Sequence, residues 1–208
     1  MEDSRTTAAR AHFDGWSATY ETGPGARRLQ EVQTAAVASL ALTSDDVLLD
    51  LACGTGAAVR QAALTVRRAV GFDLSPAMIA QARELAASNA DVEFREGDVS
   101  GPLPFSDGEF TAIVCTTAFH HFPEPLDTLA EMFRVTAPHG RVVIADANRR
   151  HPAVFAADIA LKRLQRSHFG FRSPAQLMRD LSAVGFARAS VVTIWGRAYA
   201  FVRAEKSG

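Results

Sequence analysis

Residues 47–56 read VLLDLACGTG. An apolar run ends in an acid, Asp50, and then in two glycines, Gly54 and Gly56, that bracket a threonine. The apolar part suits a buried strand. A core has no use for the acid or the glycines. Glycine at a strand end opens dihedrals closed to other residues and lets a ligand come close to the backbone. The stretch therefore marks a place where a bound molecule meets a sheet.

The flanking sequence shows what kind of sheet. Val47 to Ala52 reads as a strand and Ala57 to Val66 as the helix after the turn. Arg68 to Leu74 is a second strand. Ser75-Pro76 opens a helix, with serine as N-cap and proline at the first helical position. Met78, Ile79, Ala82 and Leu85 form its inward face. Val92 to Asp98 is a third strand. Phe110 to Thr117 is a fourth, followed by a helix bearing Leu126, Leu129 and Phe133, and Arg141 to Ala147 is a fifth. Strands alternating with helices predict βαβ units, a mainly parallel sheet and helices on both faces. Towards the C-terminus, Ser173-Pro174 with Gln176 has the form of a capping box and Gly185 of a helix stop. ASVVTIW and AYAFVRAEK then read as an antiparallel hairpin, joined by a tight Gly-Arg turn, that closes the sheet edge. At the N-terminus, residues 1–10 are expected to be loose. Phe13, Trp16 and Tyr20 share one helical face, TGPG (22–25) breaks that helix, and Leu29, Val32, Ala36, Val37 and Leu40 form a longer apolar stripe.

With 208 residues, 48% hydrophobic and 22% charged, the chain has the makings of one sizeable core. A net charge of −1 counts against a nucleic-acid partner, which usually meets a basic surface. Cys53 and Cys115 give no disulfide framework. MEDSRTTAAR lacks the apolar segment of a secretory signal, and no run approaches the ~18 apolar residues of a membrane span. The expectation is a soluble, cytoplasmic, single-domain protein with no membrane partner.

In doubly wound sheets, ligands sit beyond the carboxyl ends of the strands. A dinucleotide fingerprint, Gly-x-Gly-x-x-Gly, counted from Gly54 would need its third glycine where Val59 stands. Instead, acids recur: Asp50, Asp73 and Asp98 close three successive strands. A strand-end carboxylate suits ribose hydroxyls, because it accepts two hydrogen bonds at once. A plainer role, capping turns and helices, is open to each acid taken singly.

LLDLACGTG, GFDLSPAMIAQAR, REGDVSGPLPFSDGEFTAIVC and HHFPEPLDTLAEMFRVTAPHGRVVIAD, in that order, resemble the class I methyltransferases that use S-adenosylmethionine, in particular the ubiquinone/menaquinone-methyltransferase-like group (methyltransferase type 11). The resemblance covers about residues 45–148. It implies a Rossmann-like, doubly wound, seven-stranded α/β sheet with an antiparallel C-terminal strand and an N-terminal helical lid. On that pattern, residues 1–44 are the lid helices, 45–148 the cofactor-binding core, and 149–208 the acceptor-side helices and closing hairpin. It also implies that Asp50 and the backbone of Ala52, Gly54 and Gly56 cradle the methionine part of the cofactor, with Tyr20 reaching its carboxylate. Asp73 would hold the ribose hydroxyls, Leu74 and Met78 the adenine, Asp98 the adenine amine, Val99 the ring face, and Thr116 the floor near the sulfonium. Two departures stand out: Ala52 where the turn often has a glycine, and His139 for a glycine in APHG.

Methyl transfer from a sulfonium is an in-line displacement, so alignment does most of the work. A hydroxyl or acidic carbon acceptor must also lose a proton. His120 and His121 follow strand four at the ligand end, and Asp146 ends strand five. Similar small-molecule O-methyltransferases use a histidine of such a pair with that acid. Packing and helix entry are the plain alternative for the pair. No metal site is read, because adjacent histidines would point apart without a third ligand. Residues 149–172 carry Arg149, Arg150, Lys162, Arg163, Arg166 and Arg172 against one acid, Asp158, with Phe155, Phe169 and Phe171 among them. This is either a solvated helix face or a surface for an apolar acceptor with an anionic group. The expected function is methylation of a small organic molecule, at oxygen first, with carbon or nitrogen as alternatives, by a monomer or homodimer. The rivals are a non-catalytic cofactor-binding partner subunit, an RNA or protein methyltransferase, and a dinucleotide oxidoreductase. TTAF stands where amine-positioning enzymes carry Asn/Asp-Pro-Pro-aromatic.

Overall fold

Strand β1, Val47–Leu51, is buried along its whole length and lies at the centre of the sheet. The computed structural model describes residues 4–86, 91–165, 167–194 and 197–208. On one side β1 pairs in parallel with β2 (Arg68–Asp73), which pairs with β3 (Val92–Glu96). On the other it pairs with β4 (Phe110–Thr116), which pairs with β5 (Thr136–Ala147). The hairpin β6 (Ala187–Ile194) and β7 (Tyr199–Glu205) completes seven strands in the order β3-β2-β1-β4-β5-β7-β6. Only β7 opposes the common direction: it is antiparallel to both β5 and β6. The order reverses between β1 and β4, which is where a doubly wound sheet opens a crevice at its carboxyl edge.

Alternate residues of the central strands feed two cores. Leu48, Ala112, Val114 and Val143 face helices α2 (Ala26–Ser39), α3 (Ala57–Ala62) and α4 (Pro76–Ala86). Leu49, Ile113, Val142 and Ile144 face α5 (Pro125–Val135) and α7 (Pro174–Ala183). The predicted caps are formed. Ser75 Oγ accepts from Met78 N at 3.1 Å, ahead of Pro76. Ser173 and Gln176 close a reciprocal capping box. The sheet end remote from the crevice is clamped by buried Asp46, which accepts from both terminal nitrogens of Arg141 (2.9 and 2.8 Å) and from Thr111 Oγ1 (2.6 Å). These partners and a backbone bond from Thr43 hold its carboxyl well below the usual carboxylate range despite burial.

Several expectations need correction. Residues 4–10 are not loose but belong to helix α1, Ser4–Trp16. Phe13 and Trp16 end that helix, while Tyr20 follows a 3-10 turn over Ser17–Thr19, so the three aromatics span two elements. Leu85 and Leu126 are 42% and 48% exposed, because each lies at the margin of its helix's apolar stripe rather than at its centre. Helix α3 ends at Ala62, short of Val66, where the chain turns back into β2. The Gly-Arg turn of the hairpin falls partly, and Arg166 wholly, outside the described residues. Cys53 and Cys115 are buried free thiols. Among the described residues, no helix is long and apolar enough to cross a membrane.

Candidate active site

The turn after β1 places Ala52, Gly54 and Gly56 in the left-handed region, at φ 61, 54 and 77. For Ala52 this costs roughly 1–2 kcal/mol that glycine would not incur. Gly56 begins α3, and a Cβ there would lie 2.5 Å from the Phe94 ring, so neither dihedral nor space admits a side chain. At Gly54 the nearest atoms to such a Cβ belong to Tyr20 at 3.6 Å, an ordinary contact, and the constraint is the dihedral alone.

Two of the strand-end acids flank this turn. Asp73, at the end of β2, takes Gly54 N at 2.8 Å on one oxygen and Ser75 N at 2.9 Å on the other. Each oxygen retains a lone pair. Burial raises its pKa against those bonds. Asp50 is fully buried, and neither of its oxygens has a hydrogen-bond partner. Burial first, and the charge of Asp73 second, push its carboxyl up to about 8. Such an uncompensated acid is costly in a fold unless something cationic or hydrogen-bonding comes to meet it. Asp98 lies two residues beyond β3 and accepts from Ser100 N at 2.8 Å.

Helix α1 and its following turn roof the crevice. Asp14 accepts from Ser75 Oγ, and Glu21 Oε1 accepts from Thr55 Oγ1 (2.6 Å) and an Arg60 nitrogen (2.7 Å). Trp16 and Tyr20 meet edge to face at 4.8 Å, and Phe13 meets His121 at 5.1 Å. Burial keeps the Tyr20 hydroxyl protonated well past its ordinary range.

Beyond β4 a 3-10 turn, Phe119–His121, carries both histidines. Asp146, from β5, accepts the His120 amide at 3.0 Å, and both its oxygens stand 2.9 Å from His120 Nδ1. Asp146 thus fixes the ring, and with Nδ1 carrying the proton to a carboxylate, Nε2 is the basic atom. His121 Nδ1 lies 2.7 Å from the Ser167 carbonyl, which only accepts, so His121 is the Nδ1–H tautomer. Burial, then the neighbouring His120, lower its pKa to about 3. The two rings do not point apart: within the tight turn they lie 4.0 Å centroid to centroid, tilted by 43°. Phe171 covers His120 at 4.5 Å. No group of three or more His, Cys, Asp or Glu among the described residues has the geometry of a metal site.

A cavity of about 350 Å³ joins these parts. Its wall includes Tyr20, Ala52, Gly54, Asp73, Leu74, Met78, Asp98, Val99 and Thr116 on one side. His120, His121 and Asp146 line it with Phe122, Phe171 and Tyr199 on the other. Asp50 and Gly56 lie behind that wall. The donor set fits an adenosyl amino acid: an unpartnered buried carboxylate and a left-handed backbone bend at one end, a second carboxylate with free lone pairs beside them, and Leu74, Met78 and Val99 beyond. Sequence reasoning missed Asp14, Glu21 and Arg60, the latch of the roof. Their contacts span 34 to 61 residues of chain and leave no periodic signal.

Residues 49–144 match the family model described as a methyltransferase domain. A demethylmenaquinone methyltransferase of Thermus thermophilus is 39% identical over 102 residues, 48% of this chain and 46% of that protein. A 2-methyl-6-phytyl-1,4-hydroquinone methyltransferase of Synechocystis is 30% identical over 153 residues, 70% and 48% of the two chains. The chain thus spans about half the length of these relatives. Among solved structures, a Haloferax volcanii protein in complex with the Trm112 methyltransferase activator superposes with a TM-score of 0.83 at 21% identity, over 94% of this chain and 98% of that one. The [4+2]-cyclase SpnF does so with a TM-score of 0.79 at 17% identity, over 97% of each. From within β1 to within β5, the chain is thus similar to the methyltransferase domain family.

Proposed function

We propose that the protein transfers a methyl group from S-adenosylmethionine to the oxygen of a small, largely apolar acceptor with an ionisable hydroxyl, of the phenol or hydroquinone class. The observation that carries this is His120, held at Nδ1 by Asp146 on the wall of the same cavity as Gly54 and Asp73. Asp50 and the backbone of Ala52 and Gly54 would hold the amino-acid end of the cofactor, with Tyr20 over it. Asp73 would hold the ribose, Leu74, Met78, Asp98 and Val99 the adenine, and Thr116 the floor. When bound, the cofactor supplies an activated methyl group on a good leaving group, so the chain's own task is alignment and proton removal.

His120 Nε2 takes the acceptor's proton. Asp146 fixes the tautomer beforehand and stabilises the imidazolium formed. His121, neutral at any working pH, serves as a wall and hydrogen-bond acceptor. Phe13, Trp16, Phe122 and Phe171 exclude water, which strengthens the His120–Asp146 attraction. The relatives' names, both of quinone-type methyltransferases, support an aromatic acceptor. A hydroquinone that has lost its proton spreads charge over oxygen and ring carbon, and its orientation against the aromatic wall selects the atom. A second reading, a chain acting with an activator subunit, draws on the Haloferax protein seen with Trm112. The test is incubation with a methyl-labelled donor and a panel of phenols and hydroquinones. Acceptor-dependent S-adenosylhomocysteine, with the label on oxygen, is expected. No acceptor-dependent product across the panel overturns the proposal.

A further inference from the structure

The cations after β5 do not form a uniformly solvated face. Helix α6 (Pro152–Leu164) presents Arg163 to solvent, as the preceding turn does Arg150. Arg149, Lys162 and Arg172 instead converge, with Arg179 of α7, on a second cavity of about 350 Å³. Its other walls are Phe169, Gly170 and Phe171, with Gln176 and Asp180.

The charges in this cleft do not balance. Asp158 is fully buried beneath it and takes Arg149 Nε at 2.9 Å and Lys162 Nζ at 3.1 Å. It also binds His168 Nε2 and Phe171 N, each at 2.9 Å. Asp180 pairs with Arg172 at 2.7 Å. Arg179 has no ion pair among the described residues. Four cations thus share two carboxylates, one of them saturated and out of reach. A concave surface with a surplus of one sign focuses the field on whatever enters it. Arginine forks match the geometry of oxyanions. We propose that this cleft binds an oxyanion group, a phosphate or carboxylate in chemistry.

The cleft is joined to the catalytic cavity through its wall. Phe169 and Phe171 line both spaces. Phe169 N and Gly170 N donate to the His120 carbonyl at 2.9 and 3.3 Å. Gly170 has φ 128, and the Lys162 side chain lies across it so closely that a Cβ would strike its Nζ. The loop that forms one side of the cleft is therefore the loop that backs His120. The oxyanion is either the charged end of the acceptor or a free ion that steadies this loop.

Binding is tested on the full chain loaded with S-adenosylhomocysteine, titrated with inorganic phosphate and with pyrophosphate at constant ionic strength. Calorimetry and phosphorus NMR line widths give the readout. Saturable binding is expected, weakened about ten-fold or more in R179Q and in K162Q, the loss of one charge-assisted hydrogen bond. R179Q removes an exposed side chain, so its fold is expected to survive, as circular dichroism would verify. Absence of saturable binding, or equal binding in both folded variants, overturns the site. Neither result touches the methyl-transfer proposal, because no turnover is read. A second arm pairs phenolic acceptors that differ by one carboxylate. If R179Q raises KM for the anionic member relative to the neutral one, and phosphate competes with it, the charged end of the acceptor occupies the cleft. If phosphate binding weakens while the KM ratio stays, the occupant is a free ion.

Discussion

Asp50→Asn separates a carboxylate that awaits a cation from one that merely fills space. The carboxyl of Asp50 is pushed up to about 8 by burial and by Asp73, and its oxygens have no partner. Below that pH the ligand-free protein carries it as a neutral acid. A cofactor ammonium brought against it favours the ionised form, so binding expels a proton. If the seated group titrates below about pH 6, affinity for S-adenosylhomocysteine rises by up to about ten-fold per pH unit, each unit being worth about 1.4 kcal/mol. From pH 6.0 to 7.5 the limit is about 30-fold. The sign for stability is opposite. Without ligand, the folded state holds this proton more tightly than the unfolded chain does, so this group's contribution falls as pH rises from about 4 to about 8. Titration calorimetry at pH 6.0, 6.75 and 7.5, in buffers of different protonation enthalpy, reads both affinity and protons released. The wild type is expected to release close to one proton, and D50N to show a flat affinity and no release. A flat wild-type profile, or the same slope in folded D50N, refutes the reasoning.

Three further outcomes are expected. His120→Gln lowers turnover by a factor on the order of 10²–10⁴, the usual worth of a positioned base, while S-adenosylhomocysteine affinity stays within a few-fold; unchanged turnover removes His120 from the chemistry. Ala52→Gly relieves a left-handed backbone and raises stability by about 1 kcal/mol in chemical denaturation; an unchanged or lowered midpoint refutes the strain at this position. Asp46→Asn breaks the buried clamp on Arg141 and costs about 3–5 kcal/mol at pH 7. Because the carboxyl of Asp46 is depressed, its contribution is present above the unfolded value near 4 and is lost as pH falls, so the deficit of D46N in urea titrations shrinks towards acid.

Strands β1, β2 and β4 and the second half of β5 were legible because each is a largely apolar run closed by turn residues, and the caps at Ser75 and Ser173 because their partners stand three residues away. That Asp146 meets a histidine of the His120–His121 pair was implied by the family resemblance, not by local pattern, since the bonds to His120 span 26 residues. The helix at Phe13 and Trp16 was read, but the first part of α1 was not, because SRTTAARAH offers no apolar stripe; the hold of this segment on the molecule comes from Asp14, and from Glu21 beyond it, reaching groups far along the chain. Asp158 was misleading for a related reason. A single acid among cations reads as a solvated residue, yet folding buries it completely, because His168 and the Phe171 amide arrive from beyond the helix to complete its shell. Local pattern carries elements; charge partners chosen in three dimensions do not show in it.

The latch of α1 has a kinetic consequence. Asp14 of α1 fastens the roof to Ser75 at the head of α4, and Glu21, beyond the following 3-10 turn, fastens it to Thr55 just before α3 and to Arg60 within it. For the cofactor proposed above to leave past this roof, the contacts of Asp14 and Glu21 would have to break. Chemistry and gate are then separate clocks, and whichever runs slower sets the pace of the enzyme.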